Sequence, residues 1–211
     1  MKQILLVIVL IIGILSCGMP KEVEYPNENL KIENNMVLYK NKKYTGKISI
    51  EDEGKNVTGE INLKDGKLEG GGFYKIGDVY LLEYNIKEGK LDGKFAIKDT
   101  NDNFEMLSEY KDGKIRKFFT ETELMITDFS FDEEGRVNGT EEAVSVGETI
   151  AFKDGFGERP DWGMEFKKYI NKDGELVEET YKNGVLDDMY ISRDKFYNSD
   201  EITKTIFGVL K

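Results

Sequence analysis

Lys64-Asp65-Gly66-Lys67-Leu68-Glu69-Gly70 recurs as Lys87-Glu88-Gly89-Lys90-Leu91-Asp92-Gly93. It returns as Lys111-Asp112-Gly113-Lys114-Ile115-Arg116-Lys117 and, more loosely, as Glu133-Glu134-Gly135-Arg136-Val137-Asn138-Gly139. Asn41-Lys42-Lys43-Tyr44-Thr45-Gly46 precedes the series; Lys153-Asp154-Gly155, Lys172-Asp173-Gly174 and Lys182-Asn183-Gly184 follow it. From Gly66 onward the turn glycines stand 23, 24, 22, 20, 19 and 10 residues apart. A unit this short cannot bury a hydrophobic face alone, so the copies must stack on one another.

The motif itself is backbone chemistry. Asp accepts backbone N–H bonds, and Gly takes the left-handed conformation that a short hairpin loop with a bulge requires. Gly66, Gly89, Gly113, Gly135, Gly155, Gly174 and Gly184 are therefore assigned as structural turn glycines. Between the turns the chain alternates as strands do: Val57, Gly59, Ile61 and Leu63 share one face, as do Tyr80, Leu82, Tyr84 and Ile86. Phe104, Met106 and Tyr110 repeat that face. A second set of turns is expected at Asp52-Glu53-Gly54, Ile76-Gly77-Asp78 and Asp99 to Asn103. The expected fold is all-β, an elongated antiparallel meander of repeated hairpins over residues 36–198. Ser199-Asp200-Glu201 ahead of Ile202, Ile206, Val209 and Leu210 predicts a short C-terminal helix over 199–211, with Ser199 as its cap. A one-sided meander needs that helix, its own curvature or a partner to cover its apolar face.

The pattern resembles the MORN repeat, in the divergent form found in bacterial YwqK-type antitoxin components. Tyr44-Thr45-Gly46 and the Lys-x-Gly-Lys-Leu-x-Gly steps at Gly66 and Gly89 carry the resemblance, with Tyr110 and Tyr181 just before later turns. It covers about residues 39 to 191. The chain departs from it where the second glycine is replaced, at Lys117, Glu178 and Asp188, and where Gly155 to Trp162 interrupts the spacing. The resemblance implies an architecture and transfers no active site.

The first residues carry an address. After Met1-Lys2-Gln3, the apolar run Ile4 to Leu15 would span roughly 18 Å as a helix, short of the ~30 Å hydrocarbon core. That length suits an export signal, residues 1–16. Ile14-Leu15-Ser16-Cys17 resembles a bacterial lipobox, and Cys17 is the only cysteine. The resemblance implies a lipidated Cys17 as mature N-terminus. Because Gly18 is not Asp, it also implies an outer-membrane or cell-surface location. Residues 17–35, with Pro20 and Pro26 and no apolar period, are expected to form a flexible tether.

Composition removes several classes of function. The chain has no histidine, which excludes Ser-His-Asp and Cys-His catalysis and imidazole metal sites. A net charge of −11 leaves no basic stripe for nucleic acid. Asp99-Thr100-Asn101-Asp102-Asn103 begins like a calcium loop, but Phe104 replaces the required Gly and Tyr110 the bidentate Glu, so a polar turn is expected. No enzymatic activity, cofactor, metal or small-molecule substrate is expected. The stretch from Gly155 to Gly163 holds the only Trp. Arg159 and Trp162, residue types enriched in binding hot spots, are its candidate partner-binding residues. Its other reading is a long hairpin loop whose Trp162 caps the sheet.

Two functional classes remain open. One is a lipid-anchored envelope scaffold that binds another protein. The other, suggested by the family, is an antitoxin or immunity protein that neutralises a toxin by direct binding. The first is preferred, because the export signal is read from residues and the second rests on a family name.

Overall fold

The computed structural model describes residues 18–159, 162–191 and 198–210. Cys17 and the apolar run before it lie outside them. Five motif turns are two-residue hairpins. Asp65-Gly66, Glu88-Gly89, Asp112-Gly113, Asp154-Gly155 and Asn183-Gly184 have φ of 52/80°, 52/75°, 50/81°, 52/86° and 52/76°. Two successive positive values define a type I′ turn, whose twist matches that of the strands it joins. The expected bulged loop occurs only at Gly135 and Gly174, where the glycine alone is left-handed, at φ 80° and 79°. There Asp132 Oδ1 accepts the Arg136 N–H at 2.8 Å and Asn171 Oδ1 accepts the Glu175 N–H at 3.0 Å, closing each loop from within.

The strands these turns connect are β1 (Glu22–Tyr25), β2 (Leu30–Glu33), β3 (Met36–Tyr39), β4 (Lys42–Lys43), β5 (Gly46–Asp52), β6 (Val57–Lys64) and β7 (Lys67–Leu68). There follow β8 (Gly70–Ile76), β9 (Tyr80–Lys87), β10 (Lys90–Leu91), β11 (Gly93–Asp99), β12 (Phe104–Lys111), β13 (Lys114–Glu121) and β14 (Met125–Phe131). The series ends with β15 (Val137–Ala143), β16 (Glu148–Lys153), β17 (Phe156–Arg159), β18 (Met164–Ile170), β19 (Leu176–Lys182) and β20 (Val185–Ile191). From β5 to β20 the strands form an open antiparallel meander, in which β7 and β8 both pair with β6 and β10 and β11 both pair with β9, while β1 adds to β5 in parallel. Strands β2 to β4 form a separate three-stranded sheet.

The second glycine of the motif decides whether a strand is interrupted. At Gly70 (φ 83°) and Gly93 (φ 105°) the chain breaks into a two-residue stub followed by a full strand. Where Lys117 and Asp188 replace that glycine, β13 and β20 run unbroken and absorb the extra residue as a β-bulge opposite Glu109/Tyr110 and Thr180/Tyr181.

The residue before the second glycine has a role the motif alone does not reveal. Thr45, Glu69, Asp92 and Asn138 each accept, through a side-chain oxygen, the first turn N–H of the next repeat in the stack. Those donors are Asp65, Glu88, Asp112 and Asp154, at 2.9, 3.1, 3.1 and 2.9 Å. The turn glycine N–H then reaches a neighbouring carbonyl: Gly66 to Tyr44, Gly113 to Leu91 and Gly155 to Val137, at 2.7, 2.8 and 2.8 Å. The triplet hydrophobic–acceptor–Gly thus clamps one repeat onto the next. Asp92 also takes an ion pair from Lys111 at 3.0 Å; this bond, with the Asp112 N–H, holds its carboxyl below the usual carboxylate range. At Arg116 the acceptor has become a donor. Its guanidinium meets the Asp132 carbonyl at 3.5 Å, and that next turn is one of the two that cap themselves.

Helix α1 (Ser199–Val209) covers the apolar face of the first repeats. Ile202, Ile206, Phe207 and Leu210 are buried in the same core as Ile48, Ile61, Leu82 and Ile86. Its cap is Asn198, one residue earlier than expected, whose side chain accepts from Asp200 and Glu201 N–H while Glu201 returns a bond to the cap. Ser199 instead donates to the Gly89 carbonyl at 2.6 Å, and Tyr25 donates to the Leu210 carbonyl at 2.7 Å. The helix therefore runs from a motif turn to the edge strand.

Residues 22–33, expected to be tether, contain β1 and β2. Val23 is buried, and Glu22 pairs with Lys47 at 2.9 Å. Each strand is only four residues long, too short to display a period; β1 is held by the remote β5, and β2 by the hairpin it makes with β3.

Candidate functional site

The two edges of the main sheet differ. Strand β1 is four residues long, carries exposed Glu22 and Glu24, and ends at Pro26. Short length, charge and proline are the devices that keep an edge from recruiting another strand. Strand β20 has none of the three except its acids. All seven of its residues are exposed, and five are large and apolar: Val185 (69%), Leu186 (51%), Met189 (53%), Tyr190 (61%) and Ile191 (41%). Among the described residues its backbone pairs with β19 alone. By register, Leu186, Met189 and Ile191 stand beside Tyr181, Glu179 and Val177, while Asp188 and Tyr190 stand beside Thr180 and Glu178.

Trp162 lies at the end of this edge. The turn before β20 reaches the turn after Trp162, where the Asn183 N–H donates to the Gly163 carbonyl at 3.2 Å. Trp162 is 59% exposed, so it does not cap the sheet. The Arg159 guanidinium lies 5.0 Å from its ring centroid and bonds Glu148 at 2.7 Å, so β16 and β17 hold the cation against the indole. Within the stretch read as a long loop, Phe156–Arg159 form β17, which pairs with β16 and β18. Gly157 permits this, since a Cβ there would lie 2.9 Å from the Ile150 and Phe152 side chains. Val185, Leu186, Met189, Tyr190 and Ile191 make this edge exposed and apolar, with Asp187 and Asp188 exposed among them, and the exposed Trp162 stands beside the turn that leads into it. The sequence singles out Arg159 and Trp162 by residue type and places β20 within the meander, but does not show that β20 is an exposed apolar edge.

Sequence reading also missed Lys168. Its side chain is 4% exposed; it pairs with Glu178 at 2.7 Å and with Glu141, and its ammonium lies 4.9 Å from the Phe152 ring and 5.6 Å from Phe129. This is a buried ammonium held between two partly buried carboxylates on an aromatic floor. On the same strand Lys167 bonds Glu179 at 3.4 Å, and the Tyr181 hydroxyl, with Tyr169, lowers the Glu179 carboxyl.

Other candidates serve the fold. Asp99 Oδ1 accepts the Asn101 N–H at 3.0 Å, closing a polar turn at the calcium-like loop. A cleft of about 520 Å³ lies among the turns at Gly113, Gly135 and Gly174, lined by both acids and bases, including Arg116 and Glu133. Among the described residues no group of three or more His, Cys, Asp or Glu side chains is placed to hold a metal ion. Nor among them is any helix long and apolar enough to cross a membrane.

No family model matches the chain, and no curated protein matches it. The MORN-type resemblance therefore rests on the residues of the motif themselves.

Proposed function

We propose that this is a lipid-anchored repeat protein of the bacterial cell envelope, a scaffold that binds another protein through the C-terminal end of its sheet. The observation that carries the reading is the exposure of Trp162 together with five large apolar residues of β20, a set that includes Trp and Tyr, residue types enriched at binding hot spots. The lipobox-like run ending at Cys17 supplies the anchor, since several acyl chains together hold a protein where one binds only marginally. No reaction is assigned to it. A second reading, immunity against a toxin, is favoured by Asp187 and Asp188 on β20 and by the net charge of −11, which would speed association with a basic target.

Two variants test the two halves of the scaffold reading. Cys17→Ala is expected to leave an unprocessed precursor or to release the protein from membranes on fractionation; normal processing and unchanged partitioning would remove the anchor. Trp162→Ala is expected to leave the melting temperature nearly unchanged. It should weaken binding to a partner captured from envelope extracts by about 2 kcal/mol, the scale of a hot-spot aromatic. Undiminished affinity of that variant would take Trp162 out of the interface.

A further inference from the structure

We infer that β20 is a template for strand addition, and that its occupant is an extended segment of another protein bearing Lys or Arg opposite Asp187 and Asp188, flanked by apolar residues. The inference rests on the scaffold reading above and names the chemistry of its partner.

The argument begins with the backbone. An edge strand offers a row of N–H and C=O groups that pairs with any extended chain of suitable side chains. In β20 that row is seven residues long and flanked on both faces by exposed apolar side chains, Leu186, Met189 and Ile191 on one and Tyr190 on the other. The opposite edge, β1, is shorter and ends at a proline, two protections that β20 lacks.

Charge then selects the occupant. A second copy of this chain could pair antiparallel with β20 about a two-fold axis. A register that overlaps all of Val185–Ile191 places Asp188 directly opposite its own copy, with the neighbouring Asp187 of each strand close by. Like charges directly opposite destabilise a strand pair, and each copy brings a net charge of −11. A basic residue at that position of the incoming strand gains what the acidic copy loses. Glu178, on the adjacent strand beside Tyr190, is already engaged by Lys168, so Asp187 and Asp188 are the acids the edge presents.

The test uses the full chain in detergent and nine-residue synthetic peptides of alternating Val and Thr whose central pair is Lys-Lys, Ser-Ser or Glu-Glu. The Lys-Lys peptide is expected to bind at least 10-fold more tightly than the Glu-Glu peptide and to slow hydrogen exchange of β20 amides. N-methylation at alternate peptide nitrogens should abolish binding, and the Asp187→Asn, Asp188→Asn double variant should bring the ratio close to one. A Lys-Lys peptide that fails to bind, binds no better than Glu-Glu, or protects a different strand overturns the inference. So does β20-dependent dimerisation of the chain at micromolar concentration, which would make a second copy the occupant. If an envelope partner is still captured in a Trp162-dependent manner while the peptides fail, the strand-addition inference falls and the scaffold reading stands. If capture fails as well, both fall.

Discussion

Lys168→Ala is expected to cost about 3–5 kcal/mol of folding free energy, the range for removing one partner from a buried ion pair. The Lys168 side chain is 4% exposed, and its ammonium is held by Glu141 and Glu178 over the faces of Phe129 and Phe152. Taking an ammonium out of water is costly, and two carboxylates with two ring faces offset that cost here. Alanine would leave both carboxylates facing each other beside an emptied aromatic floor. The triad also fastens strands that are not neighbours: Lys168 is on β18 and Glu141 on β15, with the β16–β17 hairpin between them. Arg136 and Tyr169 bridge the same two segments through the backbone. A rescue separates charge from shape. Lys168→Met with Glu141→Gln and Glu178→Gln keeps the volume and removes all three charges, and it should recover most of the lost stability. Urea denaturation monitored by circular dichroism measures both variants. A loss below about 1 kcal/mol for Lys168→Ala would mean that the triad is solvated and contributes as surface pairs do.

Alternation puts Lys168, unlike Lys167, on the face of Met164, Phe166 and Ile170, but burial of its charge is decided by where that face of β18 meets Phe129 and Phe152. The turns, by contrast, are legible, since an Asp-Gly or Asn-Gly pair between lysines determines its backbone conformation locally. The hinge between a broken and a bulged strand is legible too, through Gly70 and Gly93 against Lys117 and Asp188. The clamp made by Thr45, Glu69, Asp92 and Asn138 is written in the triplet but becomes readable only when the next turn is known to lie within reach. The helix shows in its stripe, while its cap fell one residue off because Asn198 and Ser199 are both good caps. At the recognition surface, residue type drew attention to Trp162, but exposure depends on where β17 ends and β18 begins. The exposed apolar edge at β20 escaped notice because the bulge at Asp187 shifts the alternation by one residue and hides the apolar pattern. Local chemistry is thus readable from the chain, and properties set by the stacking of repeats are not.

Gly139→Ala is expected to be among the most damaging single changes in the repeat array, at roughly 2–5 kcal/mol. Two costs add. Gly139 has φ of 136°, a region where an L-residue is strained by about 1–2 kcal/mol. It also lies opposite Phe129 on β14, and a Cβ built there would drive into the Asp128 carbonyl oxygen. Overpacking of this kind typically costs about 1–3 kcal/mol. The obstruction is backbone rather than a flexible side chain, so relief requires β14 and β15 to separate. Separation would loosen Asn138, which caps the Asp154 turn at 2.9 Å, and Val137, whose carbonyl receives Gly155 at 2.8 Å. Gly184→Ala is the matched control. Gly184 has φ of 76°, but nothing lies within 4 Å of a Cβ there, so only the backbone strain applies, and the loss should stay near 1 kcal/mol. Comparing the two variants by urea denaturation isolates close approach from conformational preference. Equal losses would show that the repeat glycines serve turn conformation alone, and that the spacing between β14 and β15 has room for a side chain the geometry forbids.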